Sequence, residues 1–334
     1  MNLSSFVNRY KRNNRAKWSA YLFCAICFVT FLSPFIANDK PLVVIYKSRW
    51  FFPVFQHYTE QHFDQNTALP MDYNSVDFYQ IMENNGYFIM PIIPFSEHTL
   101  DRTEASFPSA PNGRHWLGTD DHGHDVLARI LYALRVSIIF GILLTASTAI
   151  IGILVGVFMG YFGGRIDLLG QRFIEIWSAM PSLFIIIMLS TFIAKSIISL
   201  FIILLMVHWV HLVDVVRLEA LKTRQRDFVK AAITLGLSHT TIIFRHILPN
   251  ASNAAITMLP FTLSSSIVIL TSLDFLGFGM PFGMATLGDL LIQAKMNIQS
   301  PWLTLSAFFV ITGLLTLFIF MGEGLREALY PSQS

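Results

Sequence analysis

The chain has 334 residues, of which 54% are hydrophobic and only 13% charged, and its formal net charge is +2. Such an apolar excess exceeds what a soluble core buries and points to lipid-facing surface, whereas so small a positive balance, with no stacked aromatic and arginine groove, argues against nucleic acid. The only cysteines, Cys24 and Cys27, lie within one apolar run, which favours small buried hydrophobes over a redox pair or half of a zinc site.

Residues 1–17 carry Arg9, Lys11, Arg12, Arg15 and Lys17 ahead of an apolar run at 18–36. No small-x-small cleavage site follows, and the run is close to the roughly 20 residues that cross a bilayer. It therefore reads as an uncleaved first transmembrane helix with 1–17 in the cytoplasm. Residues 37–128 hold prolines, mixed charges and aromatic clusters such as Trp50-Phe51-Phe52, and read as a periplasmic insertion with an interfacial lead-in to the next helix. Val43-Val44-Ile45-Tyr46 suggests a short strand there. The insertion caps the outer end of the bundle or meets a delivery protein, and the residues do not separate these roles. In the lead-in, HWLGTDDHGHDVLARILYALRVS (115–137) crowds Asp120, Asp121, His122, His124 and Asp125 together, ligand types that a metal ion accepts. The competing reading is a helix cap, in which Thr119 or Asp120 accepts from the first free N–H groups.

Five further apolar segments follow within 129–330, at 136–162, 173–194, 197–216, 247–273 and 303–321, so the fold expected is an all-α membrane bundle of six helices. Gly152, Gly156 and Gly160 recur every four residues in the second span, a spacing for close helix crossing. Pro181 should bend the third span and free a carbonyl. His208, His211 and Asp214 lie on one side of the fourth, where a proton relay is conceivable, although Asp214 and Arg217 stand near an end that reaches water. Asp274 follows the fifth span, either as a carboxylate for the amino end of a peptide or as a solvated helix end. If the N-terminus is inside, the inside connections hold the N-terminal cluster, Arg165 and Arg172, the basic run from Arg217 to Arg245, and Arg326. That bias puts the loop 217–246 in the cytoplasm.

This loop contains RQRDFVKAAITLGLSHTTIIFRHILP (224–249). Phe228, Ala231, Ala232, Leu235 and Gly236 form an apolar stripe at helical spacing, built mostly from small residues, which suits a short helix laid into a groove on another protein. Gly236 permits a left-handed turn, and Ser238 can cap a new helix at His239. Ala231, Ala232, Gly236, Leu248 and Pro249 resemble the EAA loop of ATP-binding-cassette (ABC) importer permeases, with Lys230 at the usual glutamate. Leu117, Gly118, Thr119, Asp120, Gly123, Asp125, Val126 and Arg129 resemble the LGTDxxGxDVxxR signature of dipeptide and oligopeptide permeases. SLDFLGFGMPFG around Asp274, the run 282–295 with Gly288 and Asp289, and the closing GEGLREALYP are similar to later family motifs, with Leu287 for a frequent tryptophan and Tyr330 for the usual aspartate. ANDKPL at 37–42 and TSLDFLGFG look most like the Yej-type permeases associated with oligopeptide and microcin C uptake.

The resemblance implies a type I importer permease, multi-pass in the bacterial inner membrane with both termini cytoplasmic. It implies three partners: a second homologous permease subunit, an ATPase with two nucleotide-binding domains that holds ATP and Mg2+, and a periplasmic peptide-binding protein. Phe228, Lys230, Ala231, Ala232, Leu235 and Gly236 would then be the ATPase-coupling residues, with Pro181 and Asp274 on the substrate path and no catalytic residue, metal or cofactor on this chain. No G-x-x-x-x-G-K-[ST], H-E-x-x-H or G-x-S-x-G occurs, so energy must come from another chain. Two other classes stay in view: a proton-coupled secondary transporter, for which no internal repeat is evident, and a membrane metalloenzyme at Asp120 to Asp125.

Overall fold

The computed structural model describes residues 3–63, 68–101 and 106–330; Pro331 of the closing motif lies outside the described residues. Helices α1 (Leu3–Arg12), α2 (Asn14–Phe31) and α3 (Ser33–Ile36) lead into strands β1 (Val43–Tyr46) and β2 (Arg49–Phe51), helix α4 (Val76–Asn85) and strand β3 (Gly86–Ile89). Then follow α5 (Val126–Phe162), α6 (Gly164–Ala179), α7 (Ser182–Phe192), α8 (Ile197–His208), α9 (Val210–Arg224), α10 (Asp227–Thr234), α11 (His239–Ile242), α12 (Leu248–Phe275), α13 (Leu287–Met296) and α14 (Pro301–Leu329). The chain divides into two compact units, one of Met1–Cys24, Ser137–Pro281 and Thr312–Ser334, the other of Ala25–Val136 and Phe282–Ile311.

Among the described residues, four helical stretches are long and apolar enough to cross a membrane: Val126–Phe162, Ile197–Arg224, His239–Phe275 and Pro301–Leu329. The pair α6 and α7, bent by 76° at Pro181, makes a fifth if taken as one span. The expected count of six is therefore not met on this measure. The first expected span falls on α2, which starts at Asn14 rather than at residue 18, so Asn14, Arg15 and Lys17 dilute its first turn, and it ends just ahead of Pro34.

Within the first unit, α2 runs antiparallel to α14. Asn13 Nδ2 donates to Glu327 Oε2 at 2.8 Å, and ten residues further on the Phe23 ring meets Phe318 at 5.1 Å. The glycine stripe of α5 finds its partner in α9. A Cβ on Gly152 would stand 2.7 Å from Leu212 Cβ, one on Gly156 2.8 Å from the Val213 carbonyl oxygen, and one on Gly160 2.7 Å from Ala220 Cβ. Absence of side chains at these three turns is what lets the two backbones touch. Pro249 does not end the last helix of the loop. A π turn at Ile243–Ile247 comes first, with Leu248 N–H bonded to the Ile243 carbonyl, and the wider turn accommodates a residue that has no N–H and would crowd the carbonyl four residues back.

The second unit is not all-α. A three-stranded antiparallel sheet, ordered β2-β1-β3, is closed by a two-residue hairpin at Lys47 and Ser48 with both φ angles positive. The expected strand at 43–46 is its centre. Val44, Tyr46, Phe63, Met71, Tyr73, Phe78 and Met82 form a core on one side, so the aromatics that look unlike a membrane segment build a small separate fold.

Candidate functional site

Helix α10 begins in the extended residue Arg226 and ends in a Schellman turn. Leu237 N–H reaches the Ala232 carbonyl, Gly236 N–H reaches the Ile233 carbonyl, and Gly236 takes φ +76°, so the glycine closes the helix as its position suggests. Ser238 Oγ then accepts from Thr241 N–H and starts α11. The helix is amphipathic in an unexpected register. Val229 is fully buried and Ala232 is 6% exposed, and both enter a cluster with Val157 and Tyr161 of α5, Val216 and Ala220 of α9, Ile242, Ile247, and Ala251 and Ala255 of α12. Phe228, at 44% exposed, and Leu235, at 79%, look outward together with Ala231, Lys230 and Gly236. Ala232 therefore belongs to the chain's own core, because the apolar arc of this short helix is wider than the edge it buries. Val229, unmarked by the sequence pattern, is its deepest anchor.

Three contacts brace the surroundings. Tyr161 Oη and His239 Nδ1 lie 2.6 Å apart. Arg224 Nη1 donates to the Phe162 carbonyl at 3.3 Å. Arg217 grips Asp167 with both Nε and Nη2, the latter 2.6 Å from Oδ2, joining α9 to α6 by a fork that holds direction as well as charge. Sequence reading missed this pair; a lone Asp and a lone Arg on neighbouring spans were the available signal.

Pro181 is exposed at the 76° bend. Asp274, by contrast, is buried, and its Oδ1 accepts from Met280 N–H at 2.6 Å. It is not a solvated helix end; it shapes the turn after α12, where Lys195 Nζ also donates to the Gly277 carbonyl at 2.7 Å. His208 is buried while His211 and Asp214 are exposed; the two histidine rings lie 6.1 Å apart between centroids.

The signature at 115–129 divides into two polar knots within the second unit. In the first, His115 lies fully buried between Asp125 Oδ2 (2.8 Å) and Asp101 Oδ2 (3.1 Å), stacked on Phe95, with Arg114 3.4 Å from Asp101. Burial pushes the imidazole pKa down, but the hydrogen bonds to Asp125 and Asp101 outweigh it and hold it above the usual histidine value. Asp125 Oδ1 accepts from Ala128 N–H at 2.8 Å, so it is Asp125, not Thr119 or Asp120, that caps α5. Thr119 Oγ1 is used otherwise, accepting from Ser109 N–H.

In the second knot Asp120 accepts from the His122 and His124 N–H groups, Arg129 Nη1 stands 3.2 Å from its Oδ2, and Arg129 Nη2 reaches Asp289 Oδ2 at 2.7 Å. Burial raises the Asp120 pKa, yet the bonds from His124 and the Arg129 charge bring it below the ordinary aspartate value; burial pushes Asp289 up against the same guanidinium. Asp120, His122 and His124 do place ligand atoms within 4.8 Å of one another. Arg129, 3.0 Å from His124 Nδ1, already supplies the positive charge that a metal ion would bring, and Asp125 has turned away to His115.

Residues 152–334, which run from the glycine stripe of α5 onward and include the α10 clamp, match the binding-protein-dependent transport system inner membrane component family. The chain belongs to this family. The permease is 46% identical to the inner membrane ABC transporter permease protein YejE of Escherichia coli K12, over 98% of this chain and 96% of that protein. It is 41% identical to the peptidoglycan transport system permease protein YejE of Agrobacterium fabrum, over 97% and 92%. With the oligopeptide transport system permease protein OppC of Haemophilus influenzae it shares 34% identity, over 71% and 77%.

Proposed function

We propose that this permease is one of two transmembrane halves of an ATP-driven importer that carries oligopeptides inward across the bacterial inner membrane, and that α10 is the helix its ATPase grips. The observation that carries the reading is the division of α10. Val229 and Ala232 are locked into a cluster shared by α5, α9 and α12, while Phe228, Ala231 and Leu235 stay uncovered. A partner holding the outer flank moves three spans at once. Oligopeptide cargo is supported by the name of the Haemophilus relative; the Agrobacterium relative's name points to peptidoglycan, and the Yej-type resemblance to microcin C-like antibiotics. The family's name supports a separate binding protein, periplasmic in this reading, and ATP and Mg2+ belong to the ATPase. A second permease subunit completes the pore.

A parity argument supports six crossings. Asn13 and Glu327 touch, which favours the start of α2 and the end of α14 on one side of the membrane and so an even number of crossings. The long helices and the bent pair supply five, and α2, whose 18 residues rise about 27 Å alongside α14, is the sixth. Basic residues at that end make it cytoplasmic, with 37–128 periplasmic. Pro181 turns the third span beside the path, and Asp274 fixes the outer turn rather than meeting cargo directly.

The test is co-purification of the ATPase with native permease and with Ala231→Glu and Leu235→Glu. Both variants should insert normally, lose the ATPase and lose peptide-stimulated hydrolysis. ATPase retained by both variants would overturn the assignment of α10, and peptide-insensitive hydrolysis in an intact native complex would overturn the cargo.

A further inference from the structure

At the end of the first unit where α1, α9, α12 and α14 converge there is a cavity of about 870 Å³, within the range of small-ligand sites. Its walls carry four cations, Arg9, Arg12, Lys222 and Arg326, against two carboxylates, Glu219 and Glu327. Both carboxylates are engaged: Lys222 Nζ stands 3.7 Å from Glu219 Oε2, and Asn13 Nδ2 holds Glu327. Arg9, Arg12 and Arg326 have no ion-pair partner within 4 Å among the described residues, so three guanidinium forks from two helices line one space in which cations outnumber carboxylates four to two. Val215, Ala254 and Met258 form its neutral floor. Forks of this kind match phosphate oxygens two at a time.

The depth of the cavity identifies the anion. Trp18 and Tyr21, directly after the basic start of α2, are exposed, and Lys17 Nζ lies 5.6 Å from the Trp18 ring centre, the arrangement of an interfacial aromatic belt. On the other side of α1 an apolar crevice of about 220 Å³ is lined by Phe6, Val7, Tyr10, Tyr21 and Leu325, with Lys11 and Lys17 at its edge. A basic chamber and an apolar crevice, separated by one short helix at headgroup level, have the polarity sequence of a lipid. We propose that the cavity binds the phosphate headgroup of an anionic phospholipid, with an acyl chain able to lie in the crevice beside α1. Its α9 wall, Glu219 and Lys222, immediately precedes α10, so an occupied site stiffens the stretch from which that helix hangs.

The experiment uses the assembled transporter, reconstituted with phosphatidylglycerol or phosphatidylcholine, then stripped with detergent and weighed intact by native mass spectrometry. Native protein should retain phosphatidylglycerol in preference to phosphatidylcholine, and the triple variant Arg9→Gln, Arg12→Gln, Arg326→Gln should retain at least about tenfold less of it, given the strength of basic clusters at anionic surfaces. Arg165→Gln, an exposed cation elsewhere, should change nothing, and an intact assembly mass for each variant establishes that it has folded. Equal retention of the two lipids by native protein, or unchanged retention by the triple variant, overturns the proposal. Displacement of the lipid by millimolar inorganic phosphate also overturns it, in favour of a soluble-anion site.

Discussion

Substituting Gly156 by alanine places one methyl group against the backbone of α9. The new Cβ would stand 2.8 Å from the Val213 carbonyl oxygen, 2.9 Å from Val216 Cβ and 3.0 Å from Arg217 N. Ordinary contact begins near 3.4 Å, so α9 must withdraw by about half an ångström, and two of the three obstacles are main-chain atoms that cannot swing aside. Overpacking of this kind costs about 1–3 kcal/mol. The displacement also acts at Arg217, the partner of Asp167, and at the helix that leads into α10. Purified native transporter, Gly156→Ala and Gly313→Ala would be compared by thermal unfolding and by cargo-stimulated ATP hydrolysis. At Gly313 an added Cβ meets nothing within 4 Å, which makes it the matched control. Gly156→Ala should unfold earlier and lose stimulation while Gly313→Ala matches native. Indistinguishable behaviour of the two variants would refute the reasoning that α5 and α9 are held at backbone contact.

Ala232→Glu should behave unlike Leu235→Glu: at a site only 6% exposed the carboxylate is desolvated at a cost of several kcal/mol, so membrane yield and protease resistance should fall, not merely ATPase binding. The His115 knot gives a pH dependence whose sign follows from its raised pKa. Its stabilisation is complete below the unfolded value of about 6.5 and is lost as pH rises through the folded value, so rate-corrected hydrogen exchange across 109–128 should quicken toward alkaline pH in native protein and lose that dependence in His115→Gln. Asp274→Ala leaves the buried Met280 N–H without its carboxylate acceptor and should cost about 1–3 kcal/mol in thermal unfolding, whereas Asp274→Asn, which keeps an oxygen, should cost less.

What the sequence makes legible here is local. The strand at Val43–Tyr46, the four-residue glycine repeat, the bend at Pro181 and the turn from Gly236 to Ser238 each depend on a few neighbouring residues whose conformational preferences agree. Less legible is anything decided by what lies opposite. Ala232 and Leu235 are equally apolar, and only the position of α12 and α5 makes one core and the other surface. Thr119, Asp120 and Asp125 can all cap a helix, and His115 decides among them by orienting Asp125. The pairing of Asp167 with Arg217 spans 50 residues and leaves no periodic trace. The weak apolarity of α2 is local in origin: Arg15 and Lys17 fall in its first turn, where Ala16 packs against Gly324 of α14.

The clamp at Val229 and Ala232 has no built-in direction. If α10 seats in the ATPase as proposed, any displacement of α5, α9 and α12 that follows cargo arrival alters how firmly it seats, by the same free energy with which seating α10 alters the cargo's hold on the pore. The strength of communication between the two ends of the transporter can therefore be weighed on a balance rather than timed as a flux, as the ratio of ATPase dissociation constants with and without cargo.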